Sequence, residues 1–254
     1  MPHFESRDGT SLHYDDQGDG SVVLLLHGLV GDVNIDWVRS GILDRLLDEG
    51  YRTVAYDARG HGLSDKPHDV EAYADDTLEC DASCLLDELG IGWCFVVGFS
   101  LGARTALRLA ALDERVRGVV ALGLGETNLG ALPAAAETQS AGASIARALR
   151  TDDPGAIAEP GLRHYRAMAD AVRADRDALA ALMSAPRPKL TEFVDDVRVP
   201  VLVITGRDDP VGAPGPLAER LADGAAVTTA GDHAGVREQP DTHQAIVDFL
   251  AAHA

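Results

Sequence analysis

Three short stretches of this 254-residue chain hold residue types that can do covalent chemistry together. "GFSLG", Gly98 to Gly102, sets a serine between two glycines. A serine hydroxyl is a poor nucleophile until a base takes its proton. Nine histidines are available. His3, His13 and His253 lie near the termini or in edge segments, His68 in a loop, His243 in the last helix-like stretch. His164 sits in a helical region from which it could touch a substrate. His233, in "TTAGDHAGVREQP", follows a weak strand-like run and precedes the final helix, and is the expected base. The third stretch, "TGRDDP", supplies two adjacent carboxylates, Asp208 and Asp209, one of which would orient the histidine. Serine, acid and histidine in this chain order suit acyl transfer from a carbonyl to water. The oxyanion that forms needs two N–H donors. Leu101, directly after Ser100, offers one, and Leu29, after "VVLLLHG", the other. His27, two residues before Leu29, reads as a residue holding that loop.

For these residues to meet, their loops must leave the same edge of one sheet. The chain supplies the elements. Ser21–Gly28, Tyr51–Asp57, Trp93–Ser100, Val116–Gly123 and Val199–Gly206 are nearly continuous in apolar residues, as strands buried on both faces are. Helical patterns over Trp37–Leu47, Ala74–Leu89, Leu101–Leu112 and Gln239–Ala252 lie between and after them. Such alternation predicts a parallel sheet with helices on both faces. Asp8-Gly9 marks a hairpin, expected antiparallel at one sheet edge. Ser100 then falls between a strand and a helix. The flanking glycines permit the tight turn, and the helix N-terminus favours negative charge there. The alternation stops between Glu126 and Lys189. "LPAAAETQSAGASIARALR" and "HYRAMADAVRADRDALAALMS" read as helices, either an extra layer or a lid over the strand ends.

Composition narrows the partners. The chain has 41 Asp+Glu against 22 Lys+Arg and a net charge of -19, so nucleic acid and anionic membrane surfaces are not expected partners. There is no basic segment followed by an apolar stretch at the start, and no apolar run near the roughly 20 residues that span a bilayer. A cytoplasmic location is expected. Cys80, Cys84 and Cys94 are too few for a disulfide framework. Cys80 and Cys84 stand one helical turn apart without a Cys/His cluster nearby, so they read as plain thiols and no metal is expected. The proposed chemistry calls for no organic cofactor either.

Four segments give the chain a family likeness: "HGLVGD" (His27–Asp32), "YDARGHGLSDKP" (Tyr56–Pro67), "GFSLGA" (Gly98–Ala103), and "TGRDDP" with "GDHAG". It resembles the α/β-hydrolase fold superfamily, in the branch of small esterases and haloperoxidase-like enzymes, over nearly its whole length outside the insertion. The resemblance implies an eight-stranded, mostly parallel sheet with helices on both faces and a short helical cap inserted after the sixth strand. Residues 1–125 and 190–254 would form the core and residues 126–189 the cap. It implies that Asp57, Arg59, His61 and Ser64 build a structural loop. In resembling hydrolases the acid stands three residues after the glycine that ends the strand, here Gly206, which selects Asp209 and leaves Asp208 as a turn residue. Pro210 favours the same choice by restraining the Asp209 backbone. Glu126, after the sixth strand, is the alternative acid.

The nucleophile narrows the reaction. Relatives that open epoxides or remove halide carry aspartate where Ser100 stands, whereas a serine forms an acyl-enzyme. The expected substrate is a small carboxylic ester or thioester. Carbon–carbon bond hydrolysis, lactone opening, aminopeptidase and perhydrolase chemistry would use the same triad, and Arg104, Arg163 and Arg166 could supply the polar groups the first of these requires. A receptor that keeps the fold and hydrolyses its ligand slowly is a further alternative, as is a structural or partner-binding role. Val30, Trp37, Phe99, Tyr165, Met168 and Met183 are candidate walls of the substrate site, each with core packing as its competing explanation. A homo-oligomer is left open as a partner.

Overall fold

Alternate residues of each apolar run divide between the two faces of one sheet. A computed structural model describes residues 1–129 and 138–254, the side chains of 138–140 excepted. The strands are β1 (His3–Glu5), β2 (Ser11–Gln17), β3 (Val22–Leu26), β4 (Arg52–Tyr56), β5 (Cys94–Phe99), β6 (Val116–Leu122), β7 (Val201–Gly206) and β8 (Gly224–Thr229). They form an eight-stranded sheet in the order β1-β2-β4-β3-β5-β6-β7-β8. The hairpin β1–β2 is antiparallel and joins β4 antiparallel, while β4, β3, β5, β6, β7 and β8 run parallel.

The helices are α1 (Ile42–Asp48), α2 (Thr77–Glu88), α3 (Leu101–Leu112), α4 (Thr138–Arg150), α5 (Pro160–Ala171), α6 (Arg176–Ser184), α7 (Leu190–Phe193), α8 (Gly215–Arg220) and α9 (Pro240–His253). On one face of the sheet Leu24, Val54, Val96, Val119 and Val203 pack with Leu85 and Leu86 of α2, Leu107 of α3, Phe193 of α7 and Leu217 of α8. On the other, Val23, Leu25, Val97, Val120 and Ile204 pack with Ile42 and Leu46 of α1 and Ile246 and Leu250 of α9. Burial on both faces is why these strands read as continuous apolar runs. Among the described residues no helix is long and apolar enough to cross a membrane.

Two helical expectations need correction. The pattern over Trp37–Leu47 is broken: Trp37 sits in a short π-helical turn, Asn34–Val38, and α1 begins only at Ile42. Gly41, at φ 80°, leaves the helical region, and the Ser40 hydroxyl donates to Asp36 O at 2.7 Å. The second insertion stretch forms two helices. Arg173 adopts φ 55°, and Asp175 starts α6 by accepting from the Ala178 N–H at 3.0 Å. In the first stretch, α4 begins at Thr138, and residues 132–137 lie outside the described residues.

Helices α4, α5 and α6 pack on one another through Ala146, Leu149, Ala169, Leu179 and Ala180, and on Val30 and Leu29 at the end of β3. Ala181 and Leu182 of α6 pack with Tyr73, Leu78 and Leu101. The helices between β6 and β7 therefore rest on the loops at the carboxyl ends of the strands. Where this segment begins, the Glu126 N–H donates to Ala213 O (3.0 Å) and the Thr127 N–H to Val211 O (3.1 Å).

The α5–α6 turn is also tied to the sheet-edge loops by His68, whose Nε2 lies 3.0 Å from both oxygens of Asp175. That hydrogen bond raises the His68 pKa, and His68 in turn helps hold the Asp175 carboxyl below its ordinary value. A raised folded pKa means that the contribution is complete below the unfolded value of about 6.5 and is lost as pH climbs through the raised value. Asp175→Asn keeps a competent helix cap. It should return His68 to the ordinary range in an NMR titration; an unchanged His68 curve would show that the pair does not form in solution.

Candidate active site

Strand β5 ends at Phe99, and Ser100 turns the chain directly into α3 at φ 53° and ψ -109°. A non-glycine residue held at positive φ stores backbone strain of about 1–3 kcal/mol. Neighbouring contacts impose that conformation. The Ser100 N–H donates to Leu122 O (2.8 Å). A Cβ on Gly98 would stand 2.4 Å from Gly102 O, and one on Gly102 would stand 1.9 Å from Leu26 O and 2.6 Å from His27 O. The two glycines let strand, turn and helix pack backbone to backbone. Gly102→Ala forces α3 away from β3 and should cost about 3 kcal/mol in urea unfolding. It should also lower turnover, because Ser100 moves with the helix.

Strands β7 and β8 bring acid and base together. Beyond their paired ends the Arg207 N–H donates to Thr229 O (2.8 Å) and the Asp208 N–H to Gly231 O (3.0 Å). Gly206 permits this approach, since a Cβ there would stand 2.2 Å from Gly231 O. Asp208 points to solvent, and the Asp209 side chain is fully buried. The Asp209 carboxylate accepts from the Val211 N–H (3.0 Å) and faces His233 Nδ1 at 2.9 and 3.1 Å. A carboxylate can only accept, so Nδ1 carries the proton and Nε2 presents a lone pair. The Ser100 hydroxyl donates to that Nε2 at 3.1 Å. Ser100, Asp209 and His233 thus form one hydrogen-bonded chain. Glu126 is outside it, beside Gly212.

The backbone N–H groups of Leu29 and Leu101 have no acceptor among the described residues, and their side chains share one apolar cluster. The loop bearing Leu29 is held on several sides. His27 donates from Nδ1 to Gly28 O (2.8 Å) and accepts at Nε2 from the Ala58 N–H (2.9 Å), so neither ring nitrogen is left for a base. The next residue, Val30, adopts φ 67° although it is β-branched, and lies only 5% exposed beneath the α4–α6 helices. For such a residue positive φ is an outlier that its surroundings must impose.

Three positions in this arrangement escaped sequence reasoning. Asp36 accepts from the Gly28 N–H (2.7 Å) and pairs with Arg237. The Arg237 guanidinium lies over the Phe99 ring, 4.3 Å from its centroid, and that ring is 5.0 Å from the His233 ring. Gly123, at φ 71°, leaves the space His233 occupies; a Cβ there would be 2.9 Å from His233 Cε1. A lone Arg four residues after the histidine and an acid in a loop have no periodicity to reveal them. Gly123 had a signal, a glycine ending a strand beside the serine turn.

Of the candidate wall residues, Val30, Tyr165, Met168 and Met183 share the cluster formed by α4, α5 and α6. Burial, and after it the Asp209 carboxylate, push the Tyr165 phenol up, so this side chain lies within electrostatic reach of the triad. Phe99 lies under His233. Trp37 requires correction: it is 0% exposed and packs with Val33, Ile42 and Leu46, so it is core. The three arginines are engaged elsewhere. Arg163 donates to Ile157 O, Arg166 pairs with Asp170, and Arg104 lies over the Phe193 ring. The loop carrying Asp57, Arg59, His61 and Ser64 is bonded to itself and to the elements around it. Asp57 accepts from the Val33 (3.0 Å) and Leu63 (2.8 Å) N–H groups, and the fully buried Arg59 pairs with Asp81 and Asp8.

Residues 21–196 match the family model described as alpha/beta hydrolase fold. A non-heme chloroperoxidase of Streptomyces lividans is 31% identical over 236 residues, covering 80% of each chain. A 2-(acetamidomethylene)succinate hydrolase of Mesorhizobium japonicum is 37% identical over 128 residues, which is 47% of this chain and 43% of that one. Among solved structures, the enol-lactonase of Burkholderia xenovorans superposes with a TM-score of 0.73 at 26% identity, covering 98% of this chain and 100% of that one.

Proposed function

The chain belongs to the alpha/beta hydrolase fold family, and within it we propose that the protein hydrolyses a small carboxylic ester or thioester through Ser100, His233 and Asp209. One observation carries this reading: His233 accepts from the Ser100 hydroxyl at 3.1 Å while its other nitrogen faces a buried carboxylate. In the first step Ser100 Oγ attacks the carbonyl carbon as its proton passes to His233 Nε2. The Leu29 and Leu101 N–H groups hold the oxyanion. Such donors are each worth about 2.7–4 kcal/mol in the transition state. Collapse expels the alcohol or thiol, which takes the proton from His233. Water, deprotonated by the same nitrogen, then releases the acid. Asp209 keeps the Nδ1–H tautomer and stabilises the imidazolium in both halves.

Residues 126–189 are read as a cap that closes over the strand ends. Val30, Tyr165 and Met168 would line its contact with the acyl group, with Phe99 supporting the histidine from below. The enol-lactonase likeness extends the substrate class to cyclic esters, which need no further residue. Carbon–carbon hydrolysis fits less well, because Arg104, Arg163 and Arg166 are bound to other partners.

Short p-nitrophenyl esters of graded chain length, with a fluorophosphonate probe, test the reading. Turnover should be fastest for the shorter acyl chains, and the probe should modify the peptide containing Ser100. A protein that neither reacts with the probe nor turns over any of the esters would favour a receptor role.

A further inference from the structure

Gly28 stands directly before Leu29, and both of its peptide groups are held. Its carbonyl accepts from His27 Nδ1 (2.8 Å) and from the Gly31 N–H (3.1 Å). A trans peptide is planar, so a fixed Gly28 carbonyl aims the Leu29 N–H the opposite way. The preceding peptide is fixed from the other side, where the Gly28 N–H donates to Asp36 Oδ2 at 2.7 Å. Glycine is the residue least able to hold its own conformation. With both peptide planes anchored, the backbone angles of Gly28 are set, and with them the direction of the Leu29 N–H.

The other oxygen of Asp36 takes the guanidinium of Arg237, from the turn that follows His233. Asp36 is 2% exposed and Arg237 8%, so the pair lies in the interior. Arg237 Nε donates to Ala234 O (3.2 Å), and the guanidinium covers the Phe99 ring at 4.3 Å from its centroid. That ring precedes Ser100 and meets both halves of the site. It lies 5.0 Å from the His233 ring, and a Cβ on Gly28 would stand 2.8 Å from its Cδ1. Gly123 adjoins the same two rings; a Cβ there would be 2.9 Å from His233 Cε1 and 3.0 Å from Phe99 Cε2. Phe99 therefore sets the seat of the imidazole. An apolar pair of similar volume would pack here about as well, since desolvating two charges offsets their attraction. It could not accept from the Gly28 N–H.

We propose that Asp36 and Arg237 are positioning residues that tie the oxyanion donor to the base: Asp36 aims the Leu29 N–H through Gly28, and Arg237, held by Asp36, seats His233 through Phe99. On the ester-hydrolysis reading, on which this rests, both effects fall on the transition state. The Leu29 N–H meets a full charge only there, and the serine proton moves only there. Loss of the pair therefore lowers kcat and leaves KM nearly unchanged.

Two double variants of the full-length protein test this, each removing both charges so that no ion is left unpaired in the interior. Asp36→Leu/Arg237→Met also deprives the Gly28 N–H of its acceptor, whereas Asp36→Asn/Arg237→Met leaves it an amide oxygen. With a p-nitrophenyl ester, kcat should fall about a hundredfold in the first and about tenfold in the second, with KM within about threefold of the wild type in both. In protein labelled with ¹⁵N-leucine, the Leu29 amide proton should move downfield when a fluorophosphonate occupies Ser100, and should move much less in Asp36→Leu/Arg237→Met. Urea midpoints show that the slowed variants are folded. Should the leucine variant fail to fold, the asparagine variant still decides, since an unchanged kcat there overturns the inference. So does an equal loss in both variants, or a loss carried by KM, which would make the pair a prop of the substrate pocket. A wild type inert toward ester and probe alike would sink the ester reading and this inference with it. An active wild type with unmoved variants would sink this inference alone.

Discussion

Ser100→Ala should lower kcat for a p-nitrophenyl ester by about a million-fold, as removal of the nucleophile does in enzymes whose triad works as a unit. The residual rate over water would come from binding and the two N–H donors. The fold should survive, since among the described residues the Ser100 hydroxyl hydrogen-bonds only to His233. The same position carries a second, opposite expectation. Ser100 is held at φ 53° and ψ -109°, where a side chain is strained and glycine is not. Ser100→Gly should release about 1–3 kcal/mol of strain against about 0.5–1 kcal/mol of added backbone entropy. The glycine variant should therefore be inert but more stable than Ser100→Ala by about 1 kcal/mol, read as a higher urea midpoint at unchanged slope. Equal midpoints would show that the turn stores no strain. Retention of turnover in the alanine variant would remove Ser100 from the mechanism.

Asp209→Asn should cost about ten-thousand-fold in kcat, and Asp208→Asn should change kcat by less than about threefold. The asymmetry rests on placement. Asp209 faces Nδ1 of His233 at 2.9 Å from a fully buried position. An amide there can donate its own N–H to Nδ1, which reverses the tautomer and leaves Nε2 protonated and unable to take the serine proton. Asp208 stands next to it with its side chain in solvent. Burst kinetics with a p-nitrophenyl ester would place the Asp209 defect in acylation. Comparable losses in both variants would mean that the acid acts through the loop as a whole and not through one carboxylate.

That Ser100, His233 and one of two aspartates leave the same sheet edge was legible, because Ser100 and the aspartates follow apolar runs and His233 a weak strand-like one, and parallel strands put all such exits at one end. The choice between Asp208 and Asp209 was legible from Pro210 and from the family resemblance, which places the acid three residues after Gly206. The contact that enforces it, Gly206 against Gly231, was not. Two neighbouring strand ends close up through backbone alone, and backbone hydrogen bonds leave no mark on residue type. Trp37 misled for the opposite reason. A large aromatic near a functional loop can face the site or the core, and periodicity does not distinguish them; Gly41 then turned the chain so that Trp37 packs beneath the sheet with α1 and α9. The break at Arg173 was hidden by Ala-rich sequence of uniform helix propensity, with the Asp175 cap as its one clue. The Asp36–Arg237 pair joins residues 201 positions apart, a separation no local pattern reports.

The two N–H groups at the start of the inserted segment, Glu126 and Thr127, donate to carbonyls of the loop that follows Asp209. This fit is tight, because a Cβ on Gly125 would stand 2.6 Å from Val211 O and 2.7 Å from Gly212 O. At the far end, Leu190, Phe193 and Val194 have already rejoined the core under the sheet. The described residues between these seams have their own small packing cluster and meet the loops at the strand ends through side chains that include Leu29, Val30 and Leu101. Residues 129 and 189 are therefore natural splice points. On the proposed function, a foreign helical segment grafted between them would change what enters the site while the stitching beside Asp209 stays whole, making substrate preference exchangeable and the Ser100–His233–Asp209 chain fixed.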